Sequence, residues 1–329
     1  MLHEKTAKPR YWQTDLSPTV SLIIPTHNRA ALLRQTLVDI DRLQIPTGVV
    51  CEVIVVANAC SDDTDEGVAR HATNAQLPTV CVSVSSPGLN AARNIGLDCA
   101  RGDYLLYLDD DVRVEPSLIT AMMQAFQGDA ADLVGGRVSL LWEAVERPKW
   151  LADDLLWVLS NAESGTSTQR SIDGQSIIGA CFGFHRRVSD SIGRFRVGLD
   201  RVGDRLLGGG ETDFIQRALR YGFRAYHVPE MHVHHWVTPH RITPGYMLGV
   251  AEGCGESRIY IKPSFTLRER VRAFVGHVWL YGYHRIASIL ASDASSRLRH
   301  QCRGAAARGG LKGCVLRSLG KQPVSPLES

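Results

Sequence analysis

Three consecutive acids, Asp109, Asp110 and Asp111, end the apolar run in the segment YLLYLDDDVRVEP, residues 104–116. Like charges repel, so three adjacent carboxylates require a compensating cation. On an extended chain Asp109 and Asp111 project to one side, whereas Asp110 points to the other. Hard divalent cations such as Mg²⁺ and Mn²⁺ prefer oxygen ligands and keep open positions for phosphate oxygens. The D-x-D spacing therefore predicts a divalent-cation site that faces an anionic ligand.

The segments around these acids alternate between strand-like and helix-like patterns. The strand-like runs are TVSLIIP, CEVIVVAN, TVCVSVS and YLLYLDDD, and helical spacing of apolar residues separates them. Strands that are apolar on both faces and joined through helices predict a doubly wound, mostly parallel α/β sheet. The strands end in PTHNR, ANACSDD, SSPGLN and DDDV, so we expect four polar loops to converge on one edge of that sheet.

Several other classes of protein lose support from what the chain contains. It has neither a G-x-G-x-x-G nor a G-x-x-x-x-G-K-[ST] motif, which argues against dinucleotide binding of the Rossmann kind and against a P-loop. The formal net charge of +3 is close to balanced, so no nucleic-acid partner is expected. The eight cysteines lack C-x-x-C spacing, which favours reduced thiols in a reducing compartment. No signal-peptide pattern or long apolar window occurs, and a cytoplasmic location is expected.

Five segments resemble, in order, the motifs of family 2 glycosyltransferases with the GT-A fold. They are VSLIIPTHNR, VIVVANACSDDT, GLNAARNIGL, YLLYLDDDV and GGGETDFIQRAL, and the resemblance runs from about residue 19 to 245. The segments RPKWLADDLLWVLSNAESG, IGACFGFHRRVSDSIGRF and VHHWVTPHRIT are similar to a bacterial polysaccharide-assembly branch of that family. The resemblance implies an inverting transfer of sugar from a nucleoside-diphosphate sugar to a glycan or lipid-linked acceptor, assisted by Mg²⁺ or Mn²⁺.

The resemblance also implies roles for individual residues. The metal ligands would be Asp111 and Asp109, with His235 as a third ligand beside Arg241. The donor would contact a larger set, which is Pro25, Thr26, Asn28, Arg29, Asn58, Asp62, Arg93, Asp109 and Asp110. Arginine suits such a site because its planar fork pairs two oxygens at once.

The catalytic base is expected in the segment GGGETDF, residues 208–214. On the family's acidic pattern Glu211 takes the position of the base, Gly210 replaces the first acid, and Asp213 is the second candidate for the base. The alternative for both acids is that they stabilise the N-terminus of a helix without any catalytic role.

The segment HVHH, residues 232–235, also contains possible zinc ligands. Adjacent histidines on a strand point to opposite faces, and no cysteine or H-E-x-x-H partner is near, so a structural zinc site is not expected. His235 is interpreted either as a metal ligand or as an ordinary edge-strand histidine.

We predict three parts of the chain from these patterns. An N-terminal extension covers 1–18, a catalytic domain covers 19–261, and a basic helical extension covers 262–329. The catalytic domain divides into a nucleotide-binding half, 19–136, and an acceptor half, 137–261, in which Trp142, Trp150 and Trp157 either stack on sugars or pack in a core. We expect at least two of the three to be core residues.

The C-terminal extension is the most basic part of the chain. Between Lys262 and Lys321 there are twelve Lys or Arg residues and two acids. Basic helices with Trp and Tyr can lie on an anionic membrane, so residues 262–320 either contact the inner face of the cytoplasmic membrane or form a helical hairpin on the catalytic domain. The glycine-rich stretch from Arg308 onward is expected to be loosely ordered.

Two other functions remain open from the residues alone. A non-catalytic nucleotide-sugar-binding scaffold would keep the fold, although it would have no need for three intact carboxylates at 109, 111 and 211. A Mg²⁺-dependent nucleotidyltransferase also uses paired acids, but it usually has a Gly- and Lys-rich loop that LIIPTHNRAAL lacks.

Overall fold

The computed structural model describes residues 19–321 except 164, 166, 202–205 and 264. The predicted N-terminal extension, 1–18, and the residues from 322 onward lie outside the described part of the chain.

Nine strands and nine α-helices make up the described residues. The strands are β1 Val20–Thr26, β2 Cys51–Asn58, β3 Thr79–Val84, β4 Tyr104–Leu108, β5 Val112–Val114, β6 Leu133–Leu141, β7 Gln169–Arg170, β8 Cys181–His185 and β9 Ala225–Trp236. The helices are α1 Ala30–Ile40, α2 Thr64–Ala72, α3 Leu89–Cys99, α4 Leu118–Gly128, α5 Arg186–Ile192, α6 Gly210–Tyr221, α7 Pro244–Ile261, α8 Leu267–Leu290 and α9 Ala294–Ser318. Short 3₁₀ helices cover Asp153–Leu159 and Pro239–Ile242.

The strands form one sheet in the order β3-β2-β1-β4-β8-β6-β9-β5, with β7 also paired to β9. β3, β2, β1 and β4 run parallel, as do β6 and β9, whereas β8, β5 and β7 run antiparallel to their neighbours. The α/β, mostly parallel prediction is confirmed. Because β1 and β4 are central, their carboxyl ends open at the middle of one edge.

Helices cover both faces of this sheet, because the strands are apolar on both sides. In β1, Leu22 and Ile24 face a core shared with α1, α2 and α4, while Ile23 faces a core shared with α3, α5 and α6. The doubly wound arrangement follows from this alternation.

Helix α1 fixes the turn that carries the three acids. The Thr36 hydroxyl lies 3.0 Å from the carbonyl oxygen of Asp110 and 2.8 Å from that of Val112. One turn later, Asp39 accepts two hydrogen bonds from the Arg113 guanidinium and one from the Val114 N–H. The link between β4 and β5 is therefore held at several points and cannot move freely from the strand edge.

The last three helices form a layer beside the sheet. α9 packs against both α7 and α8, and two glycines bring α7 and α9 close together. A Cβ on Gly309 would lie 1.9 Å from the Glu252 carbonyl oxygen, and a Cβ on Gly255 would lie 1.9 Å from that of Ala306. The expectation of loose order after Arg308 is therefore wrong up to Ser318, since glycine there permits helix packing. None of the described helices is long and apolar enough to cross a membrane.

The three tryptophans of the acceptor half separate as expected. Trp142 and Trp150 pack against a core formed by the first 3₁₀ helix, α7 and α9. Trp157 lies on that 3₁₀ helix with 45% of its surface exposed. Two of the three are therefore packing residues, and Trp157 is the member of the three with an exposed indole.

Candidate active site

The loops after β1 and β2 interlock at the edge of the sheet. The Asn28 side-chain oxygen accepts from the Ser61 N–H at 2.7 Å, and His27 Nδ1 lies 2.6 Å from the Asn58 carbonyl oxygen. Asn28 has a φ of 51°, a left-handed conformation that asparagine tolerates better than most residues. Asn58 Oδ1 is buried and has no hydrogen-bond partner within the described residues. An unpaired amide oxygen at a strand end is available to a ligand that donates a hydrogen bond.

Asp110 points toward the loop after β1. Its Oδ2 accepts from the Thr26 hydroxyl at 2.7 Å, and its Oδ1 accepts from Arg29 Nη1 at 3.0 Å. The same Arg29 nitrogen also lies 2.8 Å from Asp111 Oδ2, so Asp110 and Asp111 converge on one guanidinium group, and the prediction that Asp110 points away from both neighbours is wrong for Asp111.

Asp111 lies at the centre of a buried group of charges. Arg29 Nη1 is 2.8 Å from its Oδ2, and Arg241 Nη2 donates to the same oxygen at 3.0 Å. His235 Nε2 lies 3.1 Å from the other oxygen of Asp111 and 3.8 Å from Asp109 Oδ2. The strand edge thus brings the predicted ligands Asp109, Asp111 and His235 together.

The two buried carboxyls have opposite pKa shifts. Burial, reinforced by the charge of Asp111, raises the pKa of Asp110 to about 6 despite the nearby Arg29. Burial also disfavours the ionised form of Asp111, but His235 and Arg241 outweigh it and hold the pKa of Asp111 below its usual value. Asp111 is consequently an ionised carboxylate at neutral pH.

The residues at this point fit a divalent cation. One ligand atom each from Asp109, Asp111 and His235 lie within 4.8 Å of one another. Two carboxylates and an imidazole form a ligand set that Mn²⁺ accepts, and guanidinium groups now balance the charge of Asp111. Arg241 Nε is buried without a hydrogen-bond partner among the described residues, so one donor next to the cluster is free to meet an anion.

The two candidate bases differ in their surroundings. Asp213 is fully buried, and its carboxylate meets Arg217 Nε at 2.8 Å and Arg196 Nη1 at 3.4 Å. Glu211 keeps 22% of its side chain exposed, and its carboxylate meets Arg93 Nη1 at 3.2 Å. Asp213 therefore has a structural environment, whereas Glu211 is accessible to a reacting group.

The segment before β8 connects Glu211 to the acid cluster. The Asp109 N–H donates to the Ala180 carbonyl at 3.2 Å. A Cβ on Gly179 would lie 2.5 Å from Arg93 Nη2 and 3.4 Å from the Glu211 carboxyl carbon. Two adjacent backbone units thus separate the two groups of acids, and Gly179 is small because Arg93 and Glu211 fill the space beside it.

Gly210, which takes the place of the family's first acid, has a steric explanation. A Cβ there would lie 2.0 Å from Asn90 Nδ2. Asn90 is fully buried, and its amide donates to the carbonyl oxygens of Arg196 and Leu199. The site therefore has no room for an acidic side chain at this position.

Three residues that were predicted to contact the donor lie away from the cluster around Asp111. Pro25 is buried within β1, opposite Val56. Asp62 accepts from the Ala30 N–H at 3.0 Å and from the Thr64 hydroxyl, so both of its oxygens have protein partners at helix starts. Arg93 is 2% exposed and lies beside Glu211. The structure thus places Arg93 with the candidate base.

Sequence reasoning missed the backbone of Gly179 and Ala180 and the amide of Asn90. The contacts of Gly179 and Ala180 depend on the pairing of β4 with β8, which follows them in the chain. A hint was available, because IGACFGF has small residues where a core strand usually has large ones.

Comparison with known proteins shows which family and which curated proteins the chain is similar to. The family described as Glycosyl transferase family 2 matches residues 21–193. Glycosyltransferase AglE of Haloferax volcanii is 30% identical over 129 residues, which are 39% of this chain and 42% of that protein. The GalNAc(5)-diNAcBac-PP-undecaprenol beta-1,3-glucosyltransferase of Campylobacter jejuni is 29% identical over 36% of this chain and 38% of its own length. These matches span less than half of either relative.

Two solved structures share the fold along most of the chain. The mannosyltransferase PcManGT from Pyrobaculum calidifontis, in complex with GDP-Man and Mn²⁺, has a TM-score of 0.60 at 18% identity and covers 91% of this chain and 88% of its own. TarS 1–349 of S. aureus, in complex with UDP-GlcNAc, has a TM-score of 0.52 at 14% identity and covers 92% of each chain. At these identities the likeness shows the fold.

Proposed function

The chain belongs to glycosyltransferase family 2, and from this premise we propose that it transfers a sugar from a nucleoside-diphosphate sugar to a hydroxyl acceptor with inversion. The observation that supports the proposal best is the meeting of Asp109, Asp111 and His235 with two arginines at the strand edge, one backbone segment away from Glu211.

The donor is proposed to lie along the ends of β1, β2 and β4. Thr26, Asn28 and the unpaired amide of Asn58 would meet the nucleoside, with Pro25, Asp62 and Asp110 forming the wall behind it. Arg29 and Arg241 would meet the diphosphate, because both guanidinium groups already point at an anionic oxygen and can pair phosphate oxygens through the same fork.

Asp111, Asp109 and His235 are proposed to hold Mg²⁺ or Mn²⁺. When bound, the cation supplies positive charge to the diphosphate as it departs. Arg29 and Arg241 then have no need to neutralise Asp111, and the same two groups become free to stabilise the leaving phosphates.

Glu211 is proposed as the base of a single displacement. Its carboxylate takes the proton of the acceptor hydroxyl, whose oxygen forms a bond to the anomeric carbon while the bond from that carbon to the diphosphate oxygen breaks. The nucleoside diphosphate leaves with the bonding electron pair, and Arg93 orients the Glu211 carboxylate. Asp213 has its charge satisfied by Arg196 and Arg217, which supports a structural role.

The domain halves follow from the same division. Residues 19–136 supply most of the proposed donor side, and His235 and Arg241 are added to it from 137–261. The same second half supplies Glu211 and the proposed acceptor side, where the exposed indole of Trp157 is available to stack on a sugar face. Helix α7, at the end of this range, packs on α9, so the extension from 262 is joined to the acceptor half.

Helix α8 supports a proposal about the acceptor's location. Its outer side exposes a row of large apolar side chains, which are Leu267, Val271, Val275, Val278, Trp279, Tyr283, Ile286, Ile289 and Leu290. Arg268, Arg272 and Arg285 lie on the same helix, against the single acid Glu269. We propose that α8 lies on the anionic inner face of the cytoplasmic membrane, where the acceptor is a lipid-linked sugar of a cell-surface glycan.

Vesicle sedimentation tests the membrane contact. The wild-type chain should sediment with vesicles that contain phosphatidylglycerol and much less with neutral vesicles, since both the apolar row and the arginines contribute. The double variant Val275→Ser, Trp279→Ser should stay in the supernatant. Equal sedimentation of variant and wild type would remove α8 from the proposal.

A nucleotide-sugar screen tests the activity itself. We expect Mn²⁺ together with one class of nucleotide sugar to raise the midpoint of thermal unfolding, because a ligand of the native state stabilises it by mass action. Transfer to acceptor lipids from a bacterial membrane extract should follow with the same donor. Protection without transfer to any acceptor would favour the scaffold interpretation, and no protection would count against both.

A further inference from the structure

A second cluster of possible metal ligands lies on the opposite face of β9 from His235. His232 and His234 are alternate residues on this strand, so they share a face, and their ring centroids are 4.2 Å apart. Glu115 follows β5, and its N–H donates to the His232 carbonyl at 3.2 Å. His234 Nε2 lies 2.9 Å from Glu115 Oε1. One ligand atom from each of the three lies within 4.8 Å of the others, and all three are half-buried.

The hydrogen bonds around His232 determine which nitrogen is free. Ser139 Oγ lies 2.6 Å from Glu163 Oε1 and 2.8 Å from His232 Nε2. A carboxylate only accepts, so the serine hydroxyl gives its proton to Glu163 and accepts from His232 Nε2–H. The lone pair of His232 is therefore on Nδ1. A ring N–H tied through a hydroxyl to a carboxylate is the arrangement that orients metal-binding histidines.

In the structure, the Nδ1 lone pair of His232 faces a positively charged group. Arg137 Nη2 lies 3.1 Å from His232 Nδ1, and Arg137 is the register partner of His232 on β6. Since Nδ1 has no proton to donate, the guanidinium is the donor. Arg137 thus stands at the point where a cation would bind, as Arg29 and Arg241 do at Asp111.

We propose that His232, His234 and Glu115 form a binding site for a first-row transition ion of the Zn²⁺ type, and that the ion displaces Arg137 from His232 Nδ1. Two imidazoles and one carboxylate select Zn²⁺, Co²⁺ or Ni²⁺ over Mg²⁺, in contrast to the oxygen-rich cluster on the other face. Glu163 supports the site through Ser139 and is a positioning residue.

The proposal differs from the expectation drawn from HVHH. That expectation rested on the absence of a third ligand near the histidines in the sequence. The pairing of β5 with β9 brings in Glu115, which is 117 positions before His232 (232 − 115). The alternate pair 232 and 234, on one face, replaces the adjacent pair 234 and 235.

Co²⁺ titration tests the site, because histidine-bound Co²⁺ absorbs visible light. The full chain, free of any histidine tag, would be titrated in an Asp111→Asn background so that the other cluster has lost a carboxylate. We expect one equivalent of Co²⁺ to bind, Zn²⁺ to displace it, and the absorption to disappear in His232→Ala and in His234→Ala.

Two further variants separate ligation from a general effect on folding. Arg137→Met removes the competing cation and should tighten Co²⁺ binding about tenfold or more, whereas Ser139→Ala loses the orienting contact and should weaken it by about tenfold. The side chains of Arg137 and Ser139 are both half-exposed, and unfolding curves would confirm that each variant is folded. Absence of Co²⁺ absorption in both the Asp111→Asn chain and its Arg137→Met derivative would overturn the proposal, as would absorption that survives the loss of His232.

Discussion

The strand-end edge and the C-terminal helices differ in what they bury. At the edge, Asp110, Asp111 and Arg241 are charged or ionisable side chains that are 5% exposed or less. On α8, Trp279 is 65% exposed and Ile289 is 75% exposed. Charge withdrawn from water is costly unless it is paired, so the edge is arranged for a charged ligand, whereas the apolar side of α8 is arranged to meet another apolar surface. The chemistry should therefore depend on the edge, and the helices should affect stability and location.

The largest effect is expected at Asp111. The substitution Asp111→Asn removes the carboxylate that His235, Arg29 and Arg241 share, so the transfer rate should fall about 10³-fold or more, roughly 4 kcal/mol in the barrier. Binding of Mn²⁺, followed by electron paramagnetic resonance, should weaken in parallel. Transfer within tenfold of wild type would show that the edge does not carry the chemistry.

A packing change between α7 and α9 should lower the stability of the fold and leave the transfer rate unchanged. In Gly309→Val the added side chain meets the Glu252 carbonyl of α7, and overpacking of this kind costs about 1–3 kcal/mol of unfolding free energy. Urea denaturation would measure the loss. The transfer rate per folded molecule should stay unchanged, and a rate that fell with stability intact would mean that α7 and α9 take part in the reaction.

Arg241→Gln sharpens the account of the edge because two effects of opposite sign are expected. Without the guanidinium, Asp111 has one competitor less, so Mn²⁺ alone should bind more tightly, by several-fold. The nucleoside diphosphate should bind about tenfold more weakly, since one charge-assisted contact to phosphate is lost. Calorimetry with each ligand would show the two signs, and a loss of both affinities would contradict the exchange of partners.

The smallest effect concerns the support of the acid turn. Burial opposes the charge on Asp39, but hydrogen bonds from Arg113 and Val114 hold the pKa of Asp39 below its usual value near 3.8. A carboxyl with a lowered folded-state pKa stabilises the fold above its unfolded pKa, and this contribution disappears as the pH falls through the folded value. The unfolding free energies of wild type and Asp39→Asn should therefore differ at pH 7 and converge as the pH falls through the lowered folded-state pKa of Asp39. A gap that persisted in acid would mean that packing, not charge, sets the effect.

The strand edge was predictable from the sequence because its signals are local. The apolar runs specified the strands, and D-x-D spacing placed Asp109 and Asp111 on one side, where the structure has them beside His235. The resemblance to the family added Glu211, and the structure distinguishes it from Asp213 by its exposure and by the arginines around each acid.

The environments of Arg93 and Gly309 could not be predicted in this way, because they depend on contacts between segments that are distant in the sequence. Arg93 was assigned to the donor, yet it lies beside Glu211, because α3 and α6 meet across Gly179. Glycine lowers intrinsic helix propensity, so the stretch around Gly309 was interpreted as loosely ordered, although contact with α7 makes glycine the residue that fits. Contacts between distant segments determine the surroundings of both residues, and such contacts cannot be inferred from a local sequence pattern.

The most direct test of the central claim is the transfer rate of Glu211→Gln at saturating donor. Glutamine keeps the size of the side chain and a contact to Arg93 but cannot take a proton, so the rate should fall about 10²–10⁴-fold while the affinity for donor and Mn²⁺ is retained. Asp213→Asn is the matched control, and it should lower stability because Arg196 and Arg217 lose their buried partner. Wild-type transfer by Glu211→Gln would contradict the account and place the base elsewhere.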